Sequence, residues 1–295
     1  MKKYEGIFPA LVTPFDKNGK VDHGALEKIV NYLIEKQKVD GIYLTGSTGE
    51  FLLLSAQERC EIFKTVAKAN KKRVTLIAQV GTLNVDEVEV MTKCAEKLEF
   101  DAISAITPYY YGFSFEEVKQ YYQKISEFSS LPMFIYYLPQ LAGSKLGIEQ
   151  FGELLRIKNV VGCKFGATDV YMFERLIAKY GKQKVFMFAW DEALASGLLI
   201  GAKGFIGSTY NVNALAVREM IDLFNAAKFD KLREKMHVYN DYINAVVSKG
   251  LMQTLKAIMR LEGIEAGYNK LPFRKIDEKE LEEYAKFIKK EYLSK

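Results

Sequence analysis

Residues 160–190 read VVGCKFGATDVYMFERLIAKYGKQKVFMFAW. Two apolar runs, VVGCKFG (160–166) and KVFMFAW (184–190), flank a stretch of helical period. Short β-branched or aromatic runs separated by helical stretches are the pattern of parallel strands joined by crossover helices. The unit repeats in both directions. Six more runs share the character of the first two: GIFPALVTPF (6–15), GIYLTG (41–46), VTLIAQVG (74–81), AISAITP (102–108), MFIYYLP (133–139) and GFIGSTY (204–210). Between them lie amphipathic patterns such as 25–37, where Leu26, Ile29, Val30, Leu33 and Ile34 share one face. Ser55 with Glu58, and Ser114 with Glu117, have the spacing of capping boxes that open helices.

Eight such units predict a TIM (β/α)8 barrel. A doubly wound open sheet is the alternative, but it would more often carry a phosphate loop after its first strand. The chain has neither GxGxxG nor GxxxxGK[ST]. Beyond residue 228 the strand pattern stops. Three helical patterns, at 229–247, 250–262 and 278–292, predict a C-terminal three-helix subdomain. The expected organisation is a barrel over 1–228 and a helical subdomain over 229–295.

Composition narrows the function classes. The chain has 295 residues, 49% of them hydrophobic and 27% charged, which is a globular composition. Its net charge of +5 is too small and too dispersed to point to nucleic acid. Cys60, Cys94 and Cys163 are few, odd in number and far apart, which fits a reducing compartment. His23 and His237 stand in no cluster with metal-ligand spacing, so no metal is expected. No apolar run is long enough to span a membrane. The N-terminal stretch has no secretory pattern, and the reading is a cytoplasmic protein.

In a barrel of this kind the C-terminal strand ends build the active site. The sixth run contains Lys164, an ammonium group where a buried strand should be apolar. Desolvation lowers the pKa of a buried lysine and frees a nucleophilic amine able to form a Schiff base with a ketone. A lysine that snorkels to the rim or pairs with a carboxylate is the other reading. The second run ends in GSTGE (46–50), a Gly-rich turn whose amides and Ser47 and Thr48 hydroxyls suit a small carboxylate. Tyr136 could move a proton, or it could be core. Asp191 and Glu192 could bind hydroxyls, or they could favour a helix N-terminus.

Taken together, GSTGE, Tyr136-x-x-Pro139, Lys164, the Asp191-Glu192 pair and GSTYN (207–211) resemble the pyruvate-dependent class I aldolases. That is the family of dihydrodipicolinate synthase and N-acetylneuraminate lyase. The resemblance covers nearly the whole chain, including KLPFRKIDEKE (270–280). Leu141 stands where the dihydrodipicolinate synthases carry an arginine. With IGSTYNVN (206–213) and SAITPYYYGFSFEE (104–117), this makes the chain similar to the sialic acid lyase branch.

The resemblance implies cleavage of N-acetylneuraminate to N-acetylmannosamine and pyruvate through a Schiff base on Lys164. Tyr136 would move the proton of the C4 hydroxyl, and Ser47 and Thr48 would hold the carboxylate. Asp191, Glu192 and Ser208 would bind the polyol. Tyr110 would support Tyr136 of a neighbouring subunit, which implies a homotetramer. No organic cofactor is implied. Two positions depart from the family: Gly166 stands for a substrate-facing threonine, and Ala189 for a glycine, followed by Trp190. Both lie in the sugar-binding half. The competing readings are another pyruvate aldolase, such as dihydrodipicolinate synthase or a 2-keto-3-deoxy sugar acid aldolase, and a non-catalytic ligand-binding or regulatory protein.

Overall fold

A computed structural model describes residues 2–293. Residue 1 and residues 294–295, part of the two expected units, lie outside the described residues. Eight strands form, one in each apolar run: β1 (Gly6–Pro9), β2 (Gly41–Leu44), β3 (Thr75–Gln79), β4 (Ala102–Ile106), β5 (Met133–Tyr137), β6 (Val160–Phe165), β7 (Val185–Phe188) and β8 (Gly204–Gly207). All ladders are parallel, in the order β1-β8-β7-β6-β5-β4-β3-β2. The ring closes between β1 and β2 through a bridge at Ala10 and Tyr43, with the Leu11 N–H donating to the Tyr43 carbonyl at 2.9 Å. This is a TIM barrel, and closure leaves no free sheet edge.

The barrel helices are α1 (His23–Glu35), α2 (Ala56–Asn70), α3 (Val85–Lys97), α4 (Phe115–Phe128), α5 (Ile148–Leu155), α6 (Val170–Tyr180), α7 (Leu194–Ile200) and α8 (Tyr210–Asn225). Both capping boxes form, at the starts of α2 and α4. The first helix begins two residues before the expected 25, because the Asp22 side chain accepts the Ala25 N–H at 2.9 Å and caps it there. Three helices follow, α9 (Phe229–Ser248), α10 (Leu251–Leu261) and α11 (Glu278–Ile288), where the periodicity puts them. Their buried Met236, Tyr242, Leu255 and Ile258 join the core between strands and barrel helices.

A second core fills the barrel itself, from Tyr4, Phe8, Tyr43, Ile77, Phe134, Tyr136, Met187 and Ile206. Tyr4 meets Phe134 edge-on at 5.0 Å. One irregularity sets which side chains point inward. Between β5 and β6 the register runs Met133↔Val160 and then Phe134↔Gly162, so Val161 is an extra residue. Such a bulge re-aims every side chain beyond it. It puts Lys164 opposite Tyr136, in the interior; unshifted pairing would set it opposite Tyr137, which belongs to the outer core. Gly162 makes the close approach possible, since a Cβ there would overlap the Val185 carbonyl.

The tail is pinned to the barrel mouth by a buried ion pair. Lys256 of α10 donates to the Glu50 carboxylate at 2.9 Å, with both side chains at most 1% exposed. Glu50 also accepts from Asn269 Nδ2 at 2.6 Å and from the Lys270 N–H at 2.9 Å. Removing one partner of a buried pair costs about 3–5 kcal/mol, because the other charge is left unpaired. Lys256→Met is therefore expected to lower the unfolding free energy by that order, read as a fall in the denaturant midpoint. An unchanged midpoint would show that the pair contributes little to holding the tail.

Candidate active site

Lys164 is the penultimate residue of β6 and is 4% exposed. Its Nζ lies 3.8 Å from the ring centroids of both Tyr43 and Tyr136. Tyr136 is its in-register neighbour on β5, and Tyr43 comes from β2 across the barrel. No ion pair among the described residues engages the amine. Burial pushes its pKa down from the ordinary lysine range to about 7, while the Asp191 carboxylate opposes the shift. An ordinary lysine is neutral in only about one molecule in 2,500 at pH 7, whereas a pKa near 7 makes about half of the molecules nucleophilic. Burial likewise raises the Tyr136 phenol to about 12, against a bond with Ser47, so it is protonated in the resting site.

The GSTGE turn stands beside this amine. A side chain at Gly46 would come within 2.8 Å of the Tyr43 ring and 3.9 Å of the Lys164 amine. The turn Ser47–Gly49 is fastened at its far end. Thr13 Oγ1 donates to the Gly49 carbonyl at 2.8 Å, and Glu50 is held in left-handed backbone (φ 58°) by the tail. Ser47 and Thr48 are its first residues, so their N–H groups have no acceptor within the turn. Ser47 Oγ lies 3.3 Å from the Tyr136 hydroxyl, and Thr48 Oγ1 lies 2.6 Å from Ser208 Oγ after β8. Lys164, Tyr136, Ser47, Thr48 and Ser208 thus form one continuous cluster.

The Asp191-Glu192 pair divides. Asp191 is buried, and its Oδ2 accepts from the Thr209 N–H at 3.0 Å and the Thr209 hydroxyl at 2.6 Å. The hydroxyls of Thr209 and Tyr239 lie 2.8 Å apart, so a chain of contacts runs from Asp191 to the tail. Burial raises Asp191 to about 6, with the Thr209 hydrogen bonds opposing. Glu192 is exposed. Gly166 and Ala189 sit side by side at the mouth. A Cβ at Gly166 would lie 3.7 Å from the Ala189 carbonyl and 3.0 Å from Leu138 Cδ1. The Gly166 carbonyl is taken by Gln140 Nε2 at 2.7 Å. Tyr110 stands apart, 86% exposed at φ 74°, against Tyr111 and away from Tyr136 of its own chain.

The sequence reading missed Tyr43, Thr209, Tyr239 and the role of Glu50. Tyr43 carried a usable signal, an aromatic ring two residues after Gly41 and two before Thr45 on one strand. The parity that turns it inward did not, since β2 is buried on both faces. Among the described residues no group of three or more His, Cys, Asp or Glu could hold a metal ion.

Fold and site together define a barrel enzyme with a desolvated lysine at its mouth. The chain belongs to the dihydrodipicolinate synthetase family, which it matches over residues 3–291. It is 42% identical over 294 residues to the N-acetylneuraminate lyase of Pasteurella multocida, covering all of both chains. The N-acetylneuraminate lyase structure from Mycoplasma synoviae superposes with a TM-score of 0.96 at 55% identity, again over all of both chains. The Fusobacterium nucleatum N-acetylneuraminate lyase complexed with pyruvate gives 0.93 at 38% identity, over 99% of this chain and 98% of that one.

The amine must be neutral to attack, so reaction with a ketone should climb about tenfold per pH unit below pH 7 and level off above it. Asp191 favours the ammonium, so Asp191→Asn should move this limb to lower pH. Borohydride trapping with pyruvate across a pH series reads both. A limb in the ordinary lysine range would contradict the desolvated amine, and an unmoved limb in the variant would uncouple Asp191 from it.

Proposed function

We propose that this chain is a Schiff-base aldolase that cleaves N-acetylneuraminate reversibly to N-acetylmannosamine and pyruvate. The observation that carries the reading is the Lys164 amine, buried without an anion between two tyrosine rings in a barrel mouth lined with hydroxyls. The neutral amine adds to the C2 ketone of the open-chain sugar acid, and loss of water leaves a protonated imine. The C4 hydroxyl gives up its proton and the C3–C4 bond breaks. Its electron pair moves into the imine, forming an enamine, and C4 leaves as the aldehyde of N-acetylmannosamine. Protonation at C3 and hydrolysis release pyruvate and restore Lys164. The lysine itself supplies the electron sink, so the reaction needs no organic cofactor.

Tyr136 is the group that moves the C4 proton. A phenol near pKa 12 is a poor base at neutral pH, but the imine replaces a partly neutral amine with a cation beside it. That cation favours phenolate. Ser47 and Thr48 hold the carboxylate, with the amides of their turn. Ser208, Glu192 and Asp191 bind the polyol in this reading. Gly166 and Ala189 shape the pocket for the sugar. The Gly166 backbone lies outside the left-handed region, so Leu138, not the backbone, would resist a larger side chain there. Leu141 is 69% exposed and offers no cation to a second substrate carboxylate, which favours the lyase over dihydrodipicolinate synthase. The exposed Tyr110 suits donation to a neighbouring protomer of a homotetramer. The three cysteines are free, and no described helix is long and apolar enough to cross a membrane. We place the enzyme in the cytoplasm.

Pyruvate with borohydride should modify Lys164 alone, as read by peptide mapping, and the protein should release pyruvate from N-acetylneuraminate. Labelling at another lysine would overturn the assignment. A wide preference for a shorter 2-keto-3-deoxy acid would transfer the reading to a different pyruvate aldolase.

Tyr136→Phe keeps the ring against Lys164 and removes the hydroxyl. General acid–base steps are worth about 10²–10⁴-fold, so kcat should fall within that range while trapping persists. A loss below about threefold would move the proton transfer to another group.

A further inference from the structure

A cavity of about 550 Å³ lies between the loop after β1 and the tail segment that follows α10. Six basic side chains line it: Lys17, Lys256, Arg260, Lys270, Arg274 and Lys275. Two acids, Asp16 and Glu278, line it as well, and both are already engaged. Asp16 accepts the N–H groups of Asn18 and Lys20 at 2.8 and 2.9 Å, and Glu278 accepts the Tyr268 hydroxyl at 2.7 Å. Lys256 is paired with Glu50, and Lys270 with Glu58 at 3.1 Å. The other four cations make no ion pair among the described residues. Four unpaired positive charges around one cavity repel each other, and an anion in their midst would reverse that term. Two of them are arginines, whose planar forks match phosphate and carboxylate. Arg260 is held in the wall by donating Nη1 to the Gly267 carbonyl at 3.1 Å.

We propose that this cavity binds a small multivalent anion carrying phosphate groups or several carboxylates. The volume falls within the usual range for small-molecule sites, about 300–1,000 Å³, and exceeds what one inorganic phosphate would fill. None of the residues at the barrel mouth lines it, so the site stands or falls independently of the aldolase reading. It adjoins the mouth all the same. Lys256, Asn269 and Lys270 line the cavity and also hold Glu50, which fastens the turn bearing Ser47 and Thr48.

Isothermal titration of the full chain at about 150 mM salt, with pyrophosphate and separately with citrate, tests this. Saturable binding of at least one is expected. Arg260→Gln with Arg274→Gln should weaken it about tenfold or more, since charge-assisted hydrogen bonds are lost. Lys17→Gln with Lys275→Gln, at two exposed positions, provides a second test should the arginine variant fold poorly, and melting curves check both. Tighter pyrophosphate identifies a phosphorylated ligand and tighter citrate a polycarboxylate; either supports the site. No saturable heat with either anion at millimolar concentration overturns it. So does binding that folded charge variants leave unchanged, because the anion would then sit elsewhere.

Discussion

The structure turns on one desolvated amine. Lys164 sits inside a closed sheet, where the charged form is costly, and aromatic faces rather than a carboxylate surround it. A ring face stabilises a cation far less than an anion does. The balance therefore moves toward the neutral amine, the form that can attack a ketone. The closed barrel excludes water on all sides but the mouth, and the small residues Gly46 and Gly162 let backbone approach without filling the space.

A second buried lysine shows what the surroundings decide. Lys256 is as deeply buried as Lys164, and burial lowers it too, to about 8. Yet Glu50 holds it at 2.9 Å and the Tyr268 carbonyl at 2.6 Å, so the ammonium is compensated and serves as a clasp. One lysine has no ion-pair partner, only the more distant Asp191 charge, and is suited to chemistry; the other is paired and ties the tail to the turn. The two meet through GSTGE: Gly46 faces the Lys164 amine and Glu50 grips that of Lys256.

Much of this was legible in the residues. Eight runs and the intervening helical periods specify an alternating fold, because strand and helix bury their apolar atoms at different spacings. Lys164 stood out because an ammonium in an apolar strand is expensive. Asp191 was harder. An acid after a barrel strand can serve substrate or cap a helix, and here its Oδ2 is committed to Thr209, a residue eighteen positions away. The inward aim of Tyr43 was hidden for another reason: a strand buried on both faces has no polar alternation to reveal which way a side chain points.

By itself, then, the sequence determined the element order and the barrel, and it singled out Lys164 as the one lysine inside an apolar strand, since these depend on local period and on the cost of burying charge. It left open which way that lysine points. Val161 shifts the β5–β6 register by one residue, and only this shift turns Lys164 inward beside Tyr136. Strand pairing is a contact between distant segments with a side-chain period of two. A single extra residue therefore exchanges inside for outside, and whether it is accommodated depends on the neighbouring strand.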